Sequence, residues 1–532
     1  MKKYISKISA ALGLVGLILL NSCDLDINDN PNSPTGAVVS PNFTFGAVVA
    51  ATAYTQVYTL GYVCSSYIMG YQVPGGGIAG FGDVYTYNFG ASFNTDAWNR
   101  SFDELRDYQA IINKAGENPE YVIYGAVANI MKVYQYQLLV DAYGDVPYSE
   151  GLQGDKTILL PKYDKAADIY QDLVKKIDEA IAAIKSSSGA TGLLPFGSNN
   201  DPIFKGDLTK WIKFANNIKL RLLVRARGSA IDGFVQSAFG SFSTEGFLLE
   251  DILVNPGYNA SSQQNPMWTT YHSNVAGTIT QPARYFLPST YIFSFYNGNK
   301  LDDPVRGALT YKGYPNVNTW QLGNEVDRPN SPNYIWFIGT GTGVNASSAQ
   351  GLLKSRAAGY PLISLAETHF LLAEAALYGR QLNGDAKNNF VKGIEASFNY
   401  LAIEGTSAAP PADFNVAEKV AEYIEANSDN YLANFDKAAT NDQKLEAIIT
   451  QKYLALNLIN TYEAWTEFRR TTYPRTYGTD PATTFVSPQS QSTRPDRLPV
   501  RLLYPQNENN TNKENTPAIA NAFSSPIFWQ KN

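Results

Sequence analysis

Three short segments combine aromatic rings with amides and hydroxyls: Met267-Trp268-Thr269-Thr270-Tyr271-His272, the run from Tyr311 to Trp320 with Tyr314, Asn316 and Asn318, and Tyr334 with Trp336-Phe337. An earlier Gly-rich stretch, 70–95, adds Tyr71, Phe81, Tyr85 and Tyr87. Such clusters suit recognition without covalent chemistry. Sugar rings stack their C–H faces on aromatic rings while their hydroxyls pair with polar side chains, and extended peptides use similar walls with amide hydrogen bonds. The candidate ligand contacts are therefore Trp268, Tyr271, His272, Tyr314, Asn318, Trp320, Trp336 and Tyr85. The bland alternative is that these rings pack the loops onto a scaffold, and Trp336, inside an apolar run, fits it best.

Side chains suited to catalysis are scarce. The 532 residues hold two histidines, His272 and His369, and two cysteines, Cys23 and Cys64. That inventory argues against His-rich or cysteine metal sites and against a His-dependent triad. Neither a Gly-x-Ser-x-Gly elbow nor His-Glu-x-x-His occurs. Asp302, Asp303, Glu325 and Asp327 could supply a glycosidase's carboxylates, but that chemistry needs a defined separation that spacing in sequence does not set. Gly339-Thr340-Gly341-Thr342-Gly343 lacks the surrounding βαβ unit of a dinucleotide site. Asp24, Asp26 and Asn28 open like a calcium loop, yet Asp29 and Thr35 stand where Gly and Glu are needed. No catalytic residue, metal or cofactor is expected, and a surface hydrolase is the weaker alternative.

The chain starts with Lys2, Lys3 and Lys7, an apolar run from Ile8 to Leu20, and then Asn21-Ser22-Cys23. Charge, length and a small residue at the exit describe an export signal, and the run is shorter than the roughly 20 residues that span a bilayer. Leu20 and Ser22 ahead of Cys23 resemble a lipoprotein cleavage site, which makes Cys23 the lipidated first residue after a signal at 1–22. Residues 23–41, acidic and rich in Pro and Asn, read as a flexible tether to an outer membrane. Net charge is −6 for the whole chain and, without the three leader lysines, −9. That balance argues against nucleic acid as a partner.

Positioning the aromatic clusters requires a scaffold, and apolar periodicity supplies one. Helix pairs are expected at 97–114 with 120–142, about 164–185 with 208–227, from Pro361 through 376 with 385–402, and about 415–426 with 441–460. Gly144 and Pro147 stop the second helix, and His369 falls on an apolar face as a core histidine. Paired helices in repeated copies describe a mainly α fold of four tetratricopeptide-like units. The units divide into a half at 42–240 and another at 356–532, separated by a loop-rich insertion at 241–355 with short strands. Such units can also serve as a plain peptide- or protein-binding scaffold, which is the other alternative.

Ordered motifs then carry a family resemblance. They are Ala142-Tyr143-Gly144-Asp145-Val146-Pro147-Tyr148, Gly206-Asp207-Leu208-Thr209-Lys210-Trp211, Tyr360-Pro361-Leu362-Ile363 leading to Glu367 and Glu374, Trp465-Thr466-Glu467-Phe468-Arg469-Arg470, Tyr504-Pro505 and Pro526-Ile527-Phe528-Trp529. Together, after a lipidation site, they resemble the SusD/RagB family of outer-membrane lipoproteins, closest to its second SusD-like branch. The resemblance implies a surface lipoprotein that binds an oligosaccharide or oligopeptide and caps a TonB-dependent, SusC-like β-barrel transporter as a lid. It carries over no ligand residues. Most of the motif residues are expected to be structural, with Glu367 and Glu374 joining helix pairs and Arg469 and Arg470 following a helix C-terminus.

Overall fold

The structure is a computed structural model that describes residues 40–331, 336–339 and 349–530. Cys23, the export signal and the tether lie outside the described residues, as do Tyr334 and Thr340 to Gly343.

The fold is mainly helical. The first helix, α1 (Pro41–Tyr54), continues through an i→i+5 π-helical stretch, Thr55–Ser65, to Ile68. It has almost no amphipathic pattern, because both small and large apolar residues face protein on most sides. The expected pairs follow: α2 (Thr95–Glu117) with α3 (Val122–Tyr143), α4 (Ala166–Ser186) with α5 (Leu208–Ala226), α6 (Leu365–Leu377) with α7 (Ala386–Ala402), and α8 (Val416–Ala426) with α9 (Asn441–Ala455). Capping chemistry sets several of the starts. The side chains of Asp207, Ser364, Asp385, Asn415 and Thr440 each accept from a backbone N–H in the first turn.

Three expectations are corrected. The third pair does not start at Pro361: Tyr360–Ile363 forms strand β6 and Ser364 caps the helix that follows. Its antiparallel partner, β4 (Ile252–Val254), holds that segment extended. The other short strands pair as β1 (Gln72–Pro74) with β5 (Phe286–Pro288) and β2 (Val146–Pro147) with β3 (Tyr163–Asp164). Residues 456–460 are no part of the last helix, since the chain turns at Leu458, with φ 55°, and Asn460 caps a further helix, α10 (Thr461–Thr471). Arg469 and Arg470 therefore close α10 from within rather than follow a helix end. The insertion carries short helices as well, among them Pro266–Tyr271 and Pro304–Thr310.

One buried core runs from Phe45 to Trp529 and includes rings of the insertion, such as Trp268, Tyr291 and Phe295. The motif acids and arginines form an ionic network inside it. Arg221 of α5 meets Glu367 of α6 at 3.1 Å, Lys452 of α9 meets Glu463 of α10 at 2.7 Å, and Arg470 pairs with both Glu374 oxygens at 2.7 Å. Arg225 binds Asp141 and Glu463. Burial opposes charge on Glu463, but Arg225, Lys452 and Arg221 outweigh it and hold its carboxyl well below the usual range. His369 is buried against Asn389, 3.1 Å from its Oδ1.

Candidate aromatic binding face

The inward side of α1 is pinned by polar groups. Thr55 donates to Glu104 at 2.6 Å, Gln56 donates to the Tyr360 hydroxyl at 3.0 Å, and the Ser65 and Thr461 hydroxyls meet at 2.7 Å. With that side fixed in place, Tyr54, Tyr58 and Tyr62 recur at every fourth residue and form a half-buried ladder on the outer side. Tyr54 stacks on Tyr58 with centroids 5.2 Å apart and planes 21° apart, and Tyr58 meets Tyr62 at 5.5 Å.

The ladder continues across two further elements. Tyr62 packs on Phe286 of β5 (Phe286–Pro288) at 5.8 Å, Phe286 on Phe81 at 5.6 Å, and Phe81 on Tyr85 at 6.4 Å. Strand β5 pairs antiparallel with β1 (Gln72–Pro74), which brings the Gly-rich loop of Phe81 beside it. Guanidinium groups flank both ends. Arg100 lies 5.1 Å over the Tyr54 ring, and Arg328 donates to the Tyr85 hydroxyl at 2.6 Å. Burial raises the Tyr62 hydroxyl to about 12 and shifts Tyr54 and Tyr85 upward too. At neutral pH these hydroxyls are uncharged and can both donate and accept. The result is an arc of partly exposed rings, joined between Tyr62 and Phe81 through buried Phe286, with neutral hydroxyls and two cations: a surface for stacking and hydrogen bonding.

The eight sequence-derived candidates divide. Trp268, Tyr271, His272 and Trp336 are at most 3% exposed, so these rings offer no face to a ligand in this fold. Trp268 stacks on His272 at 3.7 Å, and burial beside Arg356 lowers His272 to about 4, which keeps it neutral. Tyr271 supports the arc from beneath, edge-on to Tyr62 at 5.9 Å. The short helix Pro266–Tyr271 is buried at every residue but Thr269, polar Thr270 included, which is why polar neighbours in sequence were a poor guide to exposure. Tyr85, Trp320, Tyr314 and Asn318 stay at the surface. Tyr85 belongs to the arc. Trp320 adjoins it, since its backbone N–H donates to Pro288 at the end of β5 and its indole N–H to the Asn324 carbonyl. Tyr314 lies apart, packed on Phe293 at 5.9 Å, with its hydroxyl donating to Tyr296. Tyr71 and Tyr87 are fully buried.

Sequence reasoning missed Tyr54, Tyr58 and Tyr62. Their fourth-residue spacing was readable, but 42–68 shows no apolar stripe to mark it as a helix.

The matching motifs have a shared origin. Residues 31–505 match the sequence profile SusD-like_2, described as starch-binding associating with outer membrane. The chain belongs to the SusD-like family. Solved structures of SusD-like proteins share the fold. A SusD homolog from Bacteroides uniformis ATCC 8492 is 21% identical with a TM-score of 0.67, covering 92% of this chain and all of that one. A chitin-binding SusD homolog from Flavobacterium johnsoniae is 21% identical with a TM-score of 0.71, covering 92% of this chain and 99% of its own. A further chitin-binding protein is 23% identical with a TM-score of 0.66, covering 93% of this chain and 100% of its own. Among curated proteins none matches in sequence. Among the described residues of this SusD-like chain, no helix is long and apolar enough to cross a membrane and no His/Cys/Asp/Glu cluster could hold a metal ion.

Proposed function

We propose that this SusD-like chain is a non-enzymatic surface lipoprotein that captures an oligosaccharide and passes it to a TonB-dependent β-barrel transporter, over which it acts as a lid. The observation that carries the reading is the half-buried arc Tyr54–Tyr58–Tyr62–Phe81–Tyr85 on a rigid face. Ring faces suit the C–H faces of sugars, and the neutral hydroxyls with Arg100 and Arg328 suit their oxygens. Family membership supports the ligand class and the outer-membrane site, and the chitin-binding neighbours share the fold. Of the residues from the sequence reading, Tyr85 lies in the arc and Trp320 adjoins it, with Asn318 and Tyr314 as further contacts in this reading. Tyr271 supports Tyr62 from inside, while Trp268, His272 and Trp336 are buried. Lipidation at Cys23 provides the membrane attachment. Binding without turnover is favoured because Asp303, one of the candidate acids, is consumed by capping and pairing with Arg306.

The test is calorimetric titration of the protein with chitin- and starch-derived oligosaccharides. Tyr58→Ala is expected to weaken binding by about three- to tenfold, the effect of losing one aromatic contact. Unchanged affinity in Tyr58→Ala, preferential binding of peptides, or release of shortened products would each count against the proposal.

A further inference from the structure

A second concave surface lies at the start of α1, on the helical face that bears the tyrosines. The cavity holds about 750 Å³ and is walled by α1, by residues 198–205 and by the loop 256–263. That volume falls within the about 300–1,000 Å³ of pockets that bury most of a small ligand. Phe43 stands at its edge 74% exposed, an unusual position for a ring of this size. The amides of Asn199, Asn200 and Gln263 line it too, beside Lys205, Pro202 and Pro256.

The walls are preorganised. Phe196 packs on core Phe45 at 5.8 Å, and Asp201 gathers the N–H groups of Ile203, Phe204 and Gly206 together with the Trp211 indole. Asn255 donates from its backbone to Pro202 at 2.8 Å, and Lys205 donates to the Asn255 carbonyl at 3.0 Å, so the two walls are tied together. A site already held in shape avoids part of the ordering cost of binding.

Spacing along α1 aligns the cavity with the arc. Phe43, Ala47, Ala50 and Tyr54 recur at four, three and four residues, which places them on one face. At 1.5 Å per residue, Phe43 lies roughly 16 Å from Tyr54 along the axis. Between the two rings the helix presents only Gly46, Ala47, Ala50 and Ala51, a low floor between aromatic ends.

We propose that this cavity is a second saccharide subsite, in which the Phe43 ring and the amides of Asn199, Asn200 and Gln263 hold units of a chain that also lies on Tyr54 and Tyr58. The ligand is then an extended oligosaccharide rather than a mono- or disaccharide. This rests on the saccharide reading of the arc, and the experiment separates the two. The full-length protein is titrated with chitin and starch oligosaccharides from disaccharides upward, alongside Phe43→Ala, Gln263→Ala and Tyr58→Ala. Phe43 and Gln263 are exposed, so their substitution leaves the core intact. Wild-type affinity is expected to rise with chain length, and Phe43→Ala to lower long-chain affinity about fivefold while leaving disaccharide binding unchanged. Identical length dependence in wild type, Phe43→Ala and Gln263→Ala, with Tyr58→Ala weakened, overturns the second subsite and leaves the arc. No effect of Tyr58→Ala at any length overturns both.

Discussion

Glu104 is a buried carboxyl whose hydrogen bonds come from hydroxyls: Thr55 donates to it at 2.6 Å and Thr52 at 3.4 Å. Burial pushes it up to about 8, with the two hydroxyls pulling only partly the other way. The folded state therefore keeps a proton that the unfolded chain, with a carboxylate near pKa 4.5, has already lost. Stability is fully present below about pH 4.5 and falls as pH rises toward 8, by up to about 1.4 kcal/mol per unit. Glu104→Gln should remove that slope, so that the variant gains on wild type between pH 5 and pH 8 in urea unfolding. Parallel curves for the two proteins would refute the assignment. Arg470 behaves oppositely, because it compensates two buried carboxylates, Glu374 and Glu467. Arg470→Ala strips Glu374 of all but a 3.8 Å contact with Arg227 and leaves Glu467 to Lys452 and Arg225, and should cost about 3 kcal/mol in denaturant midpoint analysis.

Helix pairing depends on close backbone approach at a few small residues. In the α2–α3 pair, a Cβ on Gly125 would lie 2.5 Å from the Cβ of Ala115, an atom that cannot rotate away. In the α6–α7 pair, a Cβ on Gly393 would meet the Phe370 ring at 2.6 Å, and a ring can shift. Replacing a helical glycine by alanine gains up to about 1 kcal/mol in propensity, whereas overpacking costs about 1–3 kcal/mol. Gly125→Ala should thus lower the thermal midpoint, and Gly393→Ala should stay closer to wild type. The reverse order in calorimetry would mean that α2 and α3 separate more easily than α6 and α7. The π-helical stretch of α1 belongs to this scale too, since the fourth-residue tyrosines stay in contact through it.

At the scale of the whole molecule, the proposed lid role requires attachment to the membrane that would hold the transporter. Cys23→Ala is expected to leave oligosaccharide affinity in solution unchanged while lowering growth on the cognate glycan, measured in cells where release from the membrane is verified. Normal growth with released protein would reduce the lipid to an address. The buried ionic network has a related role at this scale. It ties α3, α5, α6, α9 and α10 into one body through Asp141, Arg221, Arg225, Glu367, Lys452 and Glu463.

By itself the sequence determined the helical pairs, because periodicities such as Ile169, Leu173, Ile177 and Ile184 record which side of a helix loses contact with water. It also carried the ordered motifs of the family. Tertiary structure decided which rings meet solvent. Trp268 and Tyr58 are both aromatic residues with polar neighbours, yet one is sealed in the core and the other lies on an open face. Exposure is a property of what packs against a ring from elsewhere in the chain: β5 and the Gly-rich loop extend the tyrosine ladder, and the short helix Pro266–Tyr271 turns Trp268 inward. No local pattern carries that information, because the contacting residues are hundreds of positions apart.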